Sequence, residues 1–260
     1  MSRSTAAPKK KPPLARERMS DAEWQLRCEL AAAHRLVAHF VFVDMTYNHI
    51  SARVPGEAAL LVKPMDFMFR EVTASSLLKY GLDGSPLGGT TRPAPNPIQV
   101  LHAAVMLARA DVHCVIHSHS VANVAVSVHP EGLLPLSQHA YTLHGKMAIH
   151  AFGGYEFDLD MTAPLLRDLG NCTVVVLRNH GVLVAEKSIP EAFVTHHFYD
   201  MACRIQVAAL AGGVKPIVPS EAIQAHGAKQ VQAFQNATRG NKDWPACIRL
   251  ANALYPGYRD

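Results

Sequence analysis

The chain lacks any apolar run near the roughly 18 residues needed to cross a bilayer, which excludes a helical membrane protein. Its first eighteen residues are basic and proline-rich without a hydrophobic segment, so they do not read as a secretory signal. A cytoplasmic protein that engages no membrane is the expectation. Cysteine is sparse and unpatterned: Cys28, Cys114, Cys172, Cys203 and Cys247 form no C-x-x-C pair and are odd in number. That argues against a zinc ribbon and a complete disulfide framework, and for buried free thiols in a reducing compartment. Charged residues are only 18% of the chain, and the net charge of +4 is local. Arg3, Lys9, Lys10, Lys11, Arg16 and Arg18 against Glu17 give the N-terminal tail +5, leaving the rest at −1. Residues 1–19 therefore read as a solvated, disordered basic tail, and the remainder asks for no nucleic acid.

What is present is ordinary globular material, 260 residues at 49% hydrophobic. Ser20-Asp21-Ala22-Glu23 has the form of a capping box, and Leu26, Leu30, Ala33, Leu36 and Val37 follow at helical spacing, predicting a helix over about 21–40. Short strands flank Pro55-Gly56, over 48–54 and 58–62. Loops are expected at 82–86 and 88–89. Asn96-Pro97 reads as a cap followed by proline, opening a second helix to about Arg109. Strands are expected over 112–117, 147–152, 173–177 and 182–185. Helices are expected over 121–128 and 162–169, the latter stopped by Gly170. A second capping box, Ser188-Ile189-Pro190-Glu191, opens a long helix to about Ala211. A further helix fits 220–235. Helices and strands interleave without a long linker, which favours an α/β fold with a mixed sheet between helices.

The chemistry is concentrated in two segments. Val115-Ile116-His117-Ser118-His119-Ser120 is an apolar strand ending in histidines at i and i+2, whose side chains share one side. Val174 to Leu177 is a second buried-looking strand, stopping at the turn Arg178-Asn179-His180-Gly181. Three neutral imidazoles would suit Zn²⁺ or a similar divalent ion and leave a coordination position open for substrate. A histidine at a strand end is more often an ordinary hydrogen-bonded residue, and this chain has 15 histidines, so spacing alone does not prove convergence.

Taken with Tyr47-Asn48-His49-Ile50-Ser51-Ala52-Arg53, Leu101-His102 and Arg109-Ala110-Asp111-Val112, these segments resemble the class II aldolase/adducin family over about Leu30 to Gly213. Glu71-Val72-Thr73-Ala74-Ser75-Ser76-Leu77, Gly132-Leu133-Leu134-Pro135 and Ala202-Cys203-Arg204-Ile205-Gln206-Val207 resemble its adducin head-domain branch. The resemblance implies a three-layer α/β/α sandwich with a central, largely antiparallel mixed sheet. It places a single domain over 20–260, with a helical extension from about 214. It also implies a homotetramer with active sites near subunit contacts, a small-molecule substrate, and a divalent metal on His117, His119 and His180, zinc first and manganese or iron as alternatives. Asn48 falls near the substrate loop, where it could contact an anionic or carbonyl group or simply stabilise a turn. Arg178 could pair with a substrate carboxylate or with a structural partner. Counting from Pro135 puts His139 at the position of an aromatic proton donor, with Tyr141 nearby.

Departures from the family pattern restrict the function. The acid/base glutamate expected four residues before His102 is Ile98. The positions that receive substrate phosphate in the sugar-phosphate aldolases correspond to Met65-Asp66 and Asn96-Pro97, where an aspartate repels phosphate and a proline offers no N–H. The expectation is a metal-dependent lyase, aldolase- or decarboxylase-like, that cleaves a C–C bond in a small oxygenated carboxylate or carbonyl substrate, the ion stabilising an enolate. Decarboxylation is easier to reconcile with Ile98 than aldol cleavage is. The alternatives are a non-heme Fe(II) oxygenase on the same histidines and a noncatalytic adducin-like binding protein. Adducins bind actin and spectrin with the help of a basic segment after head and neck, which this sequence does not contain, so that role is not expected.

Overall fold

A computed structural model describes residues 19–41, 43–155, 157–238 and 242–260. The expectation for the basic tail therefore lies, but for Met19, outside the described residues. Helix α1 (Asp21–Phe40) starts where the sequence placed it, with Ser20 Oγ accepting from Glu23 N–H at 3.1 Å. The reciprocal half of the box is replaced by a buried ion cluster. Glu23 takes Arg27 at 2.9 Å and Lys79 at 2.8 Å, which ties α1 to the sheet.

The sheet has eight strands: β1 (His49–Arg53), β2 (Ala59–Val62), β3 (Leu78–Gly81), β4 (Pro86–Leu87), β5 (Cys114–Ser118), β6 (Met147–His150), β7 (Val174–Leu177) and β8 (Gly181–Glu186). Their spatial order is β4-β3-β2-β1-β5-β8-β7-β6. Every pairing is antiparallel except β6 with β7. Strands β5, β7 and β8 are buried along their whole length, which is why they read as unbroken apolar runs rather than alternating ones.

On one face pack α1, α4 (Val121–Ser127), α7 (Ile189–Leu210) and α9 (Asp243–Leu254), around Leu30, Leu36, Ile50, Ile116, Val182 and Tyr199. On the other, α2 (Asn96–Ile98), α3 (Ala104–Ala108) and α6 (Thr162–Leu169) enclose Leu60, Ile98, Leu101, Val115, Leu165 and Leu183. The result is the expected α/β/α sandwich. A single helical turn, α5 (Gln138–Tyr141), and the 18-residue α8 (Glu221–Thr238) complete the chain.

Three local differences from the sequence reading have physical causes. Strands β3 and β4 were not anticipated, because they are short, lie toward one edge and carry no clean alternation. The helix expected from Asn96 is interrupted: between α2 and α3, Gln99–Ala103 forms a π turn in which Ala104 N–H reaches Gln99 O. Asn96 is also the first helical residue rather than the cap, and its amide donates to the Phe157 carbonyl. The added residue of the π turn resets the helical phase, and His102, within it, meets Ser51 Oγ on β1 at 2.7 Å.

Candidate metal centre

Strand β5 carries His117 on the side facing α2 and α3, His119 follows just past its end, and Ser118 between them points into the opposite layer. There Ser118 Oγ lies 2.6 Å from His196 Nε2 and accepts from Asn123 Nδ2 at 3.1 Å, a buried polar anchor from α7 and α4. His180 arrives on the turn between β7 and β8. That turn depends on two conformations: Asn179 is left-handed at φ 56°, and Gly181 lets the backbone come close. A Cβ at Gly181 would stand 2.4 Å from the Ser118 carbonyl oxygen and 3.0 Å from His119 Cδ2.

The three imidazoles converge through their Nε2 atoms, His119 lying 2.7 Å from His117 and 2.9 Å from His180. Among the described residues, these three form the cluster able to hold a metal ion. Tetrahedral ligation at about 2.0–2.1 Å separates ligating nitrogens by about 3.3 Å, so the cluster needs only slight expansion to take an ion. Orientation supports the fit. His117 Nδ1–H donates to Val182 O at 2.9 Å, which leaves the Nε2 lone pair facing the other two rings. His119 Nδ1 lies 3.5 Å from Asp44 Oδ2. Burial first, then the neighbouring His119 and His180, hold His117 well below the usual histidine range, so it is neutral and able to ligate.

Asp44 was not anticipated as part of the site. It sits in the loop after α1, and its N–H donates to Asn48 Oδ1 at 2.9 Å. Asn48 therefore does the turn-building its sequence position allowed. Its Nδ2, fully buried, has no hydrogen-bond partner among the described residues. His49 lies on β1 beside this loop. Paired across the sheet with His117, its ring stacks on that histidine at 6.0 Å and 25° and lies 5.8 Å from His102. Both His49 ring nitrogens are buried without a partner among the described residues. Burial pushes His102 down to about 3 and holds His49 well below its ordinary value, so both are neutral. The signal for His49 was available: it lies two residues from Ser51 on a strand that must pair with a metal-bearing one.

Three of the candidate site residues lie in other surroundings within the single chain. Arg178 is no free substrate clamp, because its guanidinium donates to the Ser127 carbonyl at 3.4 Å, to that of Pro130 at 2.6 Å and to that of His129. It closes the end of α4 by carbonyl bonds rather than by an ion pair. His139 and Tyr141, expected at the reacting end, sit on α5 under α7 and α8, lining a separate cavity in which none of the three clustered histidines takes part. Tyr141 donates its hydroxyl to Pro135 O at 3.2 Å, and His139 lies 5.7 Å from the Phe198 ring. Ile98 is fully buried in the second core, so no carboxylate occupies the expected acid/base position. No helix among the described residues is long and apolar enough to cross a membrane.

Residues 28–207 match the model of the class II aldolase and adducin N-terminal domain. A Caulobacter vibrioides protein, whose name places it provisionally among the class 2 aldolases, is 39% identical over 94% of this chain and 95% of its own length. Alpha-adducin of Rattus norvegicus is 40% identical over 74% of this chain but only 26% of its own length. Among solved structures, an aldolase II superfamily protein from Pseudomonas syringae superposes with a TM-score of 0.89 at 36% identity, covering 94% of this chain and 99% of that one.

Proposed function

The chain belongs to the family of class II aldolase and adducin N-terminal domains, and from that premise we propose that it is a divalent-metal-dependent lyase cleaving a carbon–carbon bond in a small oxygenated carboxylate or carbonyl compound. One observation carries the reading: three Nε2 atoms from two separate segments point at one another, with the His117 tautomer fixed by Val182 O. His117, His119 and His180 would hold the ion, zinc first, with manganese or iron as alternatives. Such an ion supplies Lewis-acid charge where negative charge develops on a substrate oxygen.

The protein's own groups set the rest. Val182 O and Asp44 orient the ligating rings. Asn48 Oδ1 accepts from Asp44 N–H and so shapes the loop that carries Asp44 toward His119. With Ile98 in place of a carboxylate, no side chain at that position can take a proton from a substrate hydroxyl. Aldol cleavage requires that removal. Decarboxylation does not, since CO₂ leaves without a base and the remaining carbanion needs only a proton, which water can give. We therefore favour decarboxylation, carried out by a homo-oligomer in the cytoplasm.

A noncatalytic binding protein is the second reading, favoured by Ile98 together with the alpha-adducin likeness. Elemental analysis of untagged protein beside its His180→Ala variant tests the first. About one Zn²⁺, Mn²⁺ or Fe²⁺ per chain, lost in the variant, is the expected result, followed by anaerobic turnover of small 3-oxo acids, whose carbonyl takes up the electron pair that CO₂ leaves behind. Protein that holds no metal and takes none up on reconstitution would move the binding role ahead. Activity that demands Fe²⁺ and dioxygen would replace the lyase by an oxygenase.

A further inference from the structure

Strand β6 is the outermost strand at one end of the sheet, and the chain leaving it carries aromatic rings into solvent. Phe152, Tyr155 and Phe157 are 51%, 72% and 61% exposed, and Leu159 beside them is 53% exposed. The rings are not scattered. Tyr155 and Phe157 stack 5.6 Å apart at 12°, and Phe152 meets Tyr155 edge-on at 6.4 Å. The backbone holds them there: Phe157 N–H donates to Tyr155 O at 2.7 Å, and the Phe157 carbonyl accepts from the Asn96 amide on α2. Three exposed rings in contact, continued by a leucine, form the kind of contiguous apolar patch that marks an interaction surface.

The charge of this surface selects its occupant. Residues 151–161 hold three acids and no basic residue. Asp158 and Asp160 are exposed, and among the described residues no cation pairs with either. Aromatic faces set among unpaired carboxylates suit lysine and arginine, which bring cation–π contact, ion pairing and an apolar stem together. The sequence contains a matching ligand. Pro8-Lys9-Lys10-Lys11-Pro12-Pro13 lies in the segment of charge +5, outside the described residues and outside the family match, which begins at residue 28. Its prolines limit the backbone freedom lost on docking.

Reach decides which copy of the chain supplies it. Helix α1 begins beside Lys79 of β3, and six strand steps separate β3 from β6, about 29 Å at about 4.8 Å each. The ten residues from Lys10 to Ser20 span at most about 36 Å when taut. A chain's own lysines would also have to round the sheet, since α1 packs on one face and Phe157 is tied to α2 on the other. The same segment of a second copy approaches from outside and meets neither constraint. We propose that Pro8–Pro13 of one copy docks on the Phe152–Tyr155–Phe157 face of another, its lysines over the rings and against Asp158 and Asp160. The surface uses none of the three clustered histidines and stands or falls separately from the lyase reading.

The test uses the full chain and a water-soluble carbodiimide, which joins amines to carboxylates in contact, with the linked peptides identified by mass spectrometry. Links from Lys9, Lys10 or Lys11 to Asp158 or Asp160 are expected. To show that they join two copies, a Lys9→Gln/Lys10→Gln/Lys11→Gln chain is co-expressed with an Asp158→Asn/Asp160→Asn chain. Neither can form the link within itself, and about a quarter of the wild-type yield is expected from random pairing of the two. Tyr155→Ala/Phe157→Ala removes two exposed rings and should lower the wild-type yield at least fivefold. Hydrogen exchange gives a readout independent of linking: amides of residues 152–159 should exchange at least threefold faster in Lys9→Glu/Lys10→Glu/Lys11→Glu, whose changes lie outside the folded body. Absence of the links, or links that vanish in the co-expressed pair, would overturn the proposal. An unchanged yield in the ring variant would do so as well, as would unchanged exchange in the lysine variant, the result if another face of a second copy covers the rings.

Discussion

Replacing Gly181 by alanine should strip the centre of metal without touching a ligand. The added methyl group would stand 2.4 Å from the Ser118 carbonyl oxygen, on the backbone between His117 and His119. That is about 1 Å closer than an ordinary van der Waals contact allows. Neither neighbour can yield cheaply. Ser118 and Val182 are register partners at the junction of β5 and β8, and Ser118 is anchored from behind by His196 and Asn123. The turn must therefore swing away, carrying His180, while a working metal site holds its distances to within about 0.2 Å. Overpacking of this kind costs about 1–3 kcal/mol of stability. The larger effect falls on metal affinity, for which a 10–100-fold loss is expected, the range seen when supporting contacts of ligating histidines are removed. Competition between the protein and a chromophoric chelator measures it, with the melting temperature of the metal-free protein recorded in parallel. A Gly181→Ala variant binding metal within threefold of the parent would refute the claim that this glycine sets the convergence of the three rings.

Asp44→Asn replaces the carboxylate 3.5 Å from His119 Nδ1 by a weaker partner, and about a tenfold loss of metal affinity is expected in the same competition assay. An unchanged constant would remove Asp44 from the site. Arg178→Ala should destabilise the fold by about 2–4 kcal/mol in urea titration, because the Ser127, His129 and Pro130 carbonyls lose a charged donor; a loss under about 0.5 kcal/mol contradicts that. Acid should unfold the protein early. Burial depresses His34 and His102 to about 3 and His196 to about 4, so below the unfolded histidine value near 6.5 the unfolded chain gains protons that the folded chain refuses. Stability is then complete above about pH 6.5 and falls as pH drops toward about 4, by about 1.4 kcal/mol per pH unit for each histidine. At about pH 5 the three together remove about 6 kcal/mol, much of what holds a typical domain. Equal stability at pH 7.5 and pH 5 would show that these rings are not buried neutral.

How far the site could be read from sequence depended on whether its parts were local. His117, His119 and His180 were legible because each ends an apolar strand, and strand parity places 117 and 119 on one side without any knowledge of the partner strands. Gly181 was legible as a turn residue, but its closeness to the Ser118 carbonyl was not, since that distance exists only once β5 and β8 pair. Asp44 was hidden for a similar reason: it lies in an irregular loop, and its approach to His119 is set by the amide of Asn48 four residues on. The π turn escaped because the apolar spacing of Ile98, Leu101 and Val105 satisfies a plain helix equally well. His139 shows a different limit of counting along one chain. Counting forward from Pro135 assumes that the chain keeps to the metal end of the sheet, whereas Ser137 caps a single helical turn that puts 138–141 beneath α7 and α8. Counting carries a role along a sequence only while the backbone keeps its direction, and here one capped turn, four residues long, is enough to move an expected proton donor into a different cavity.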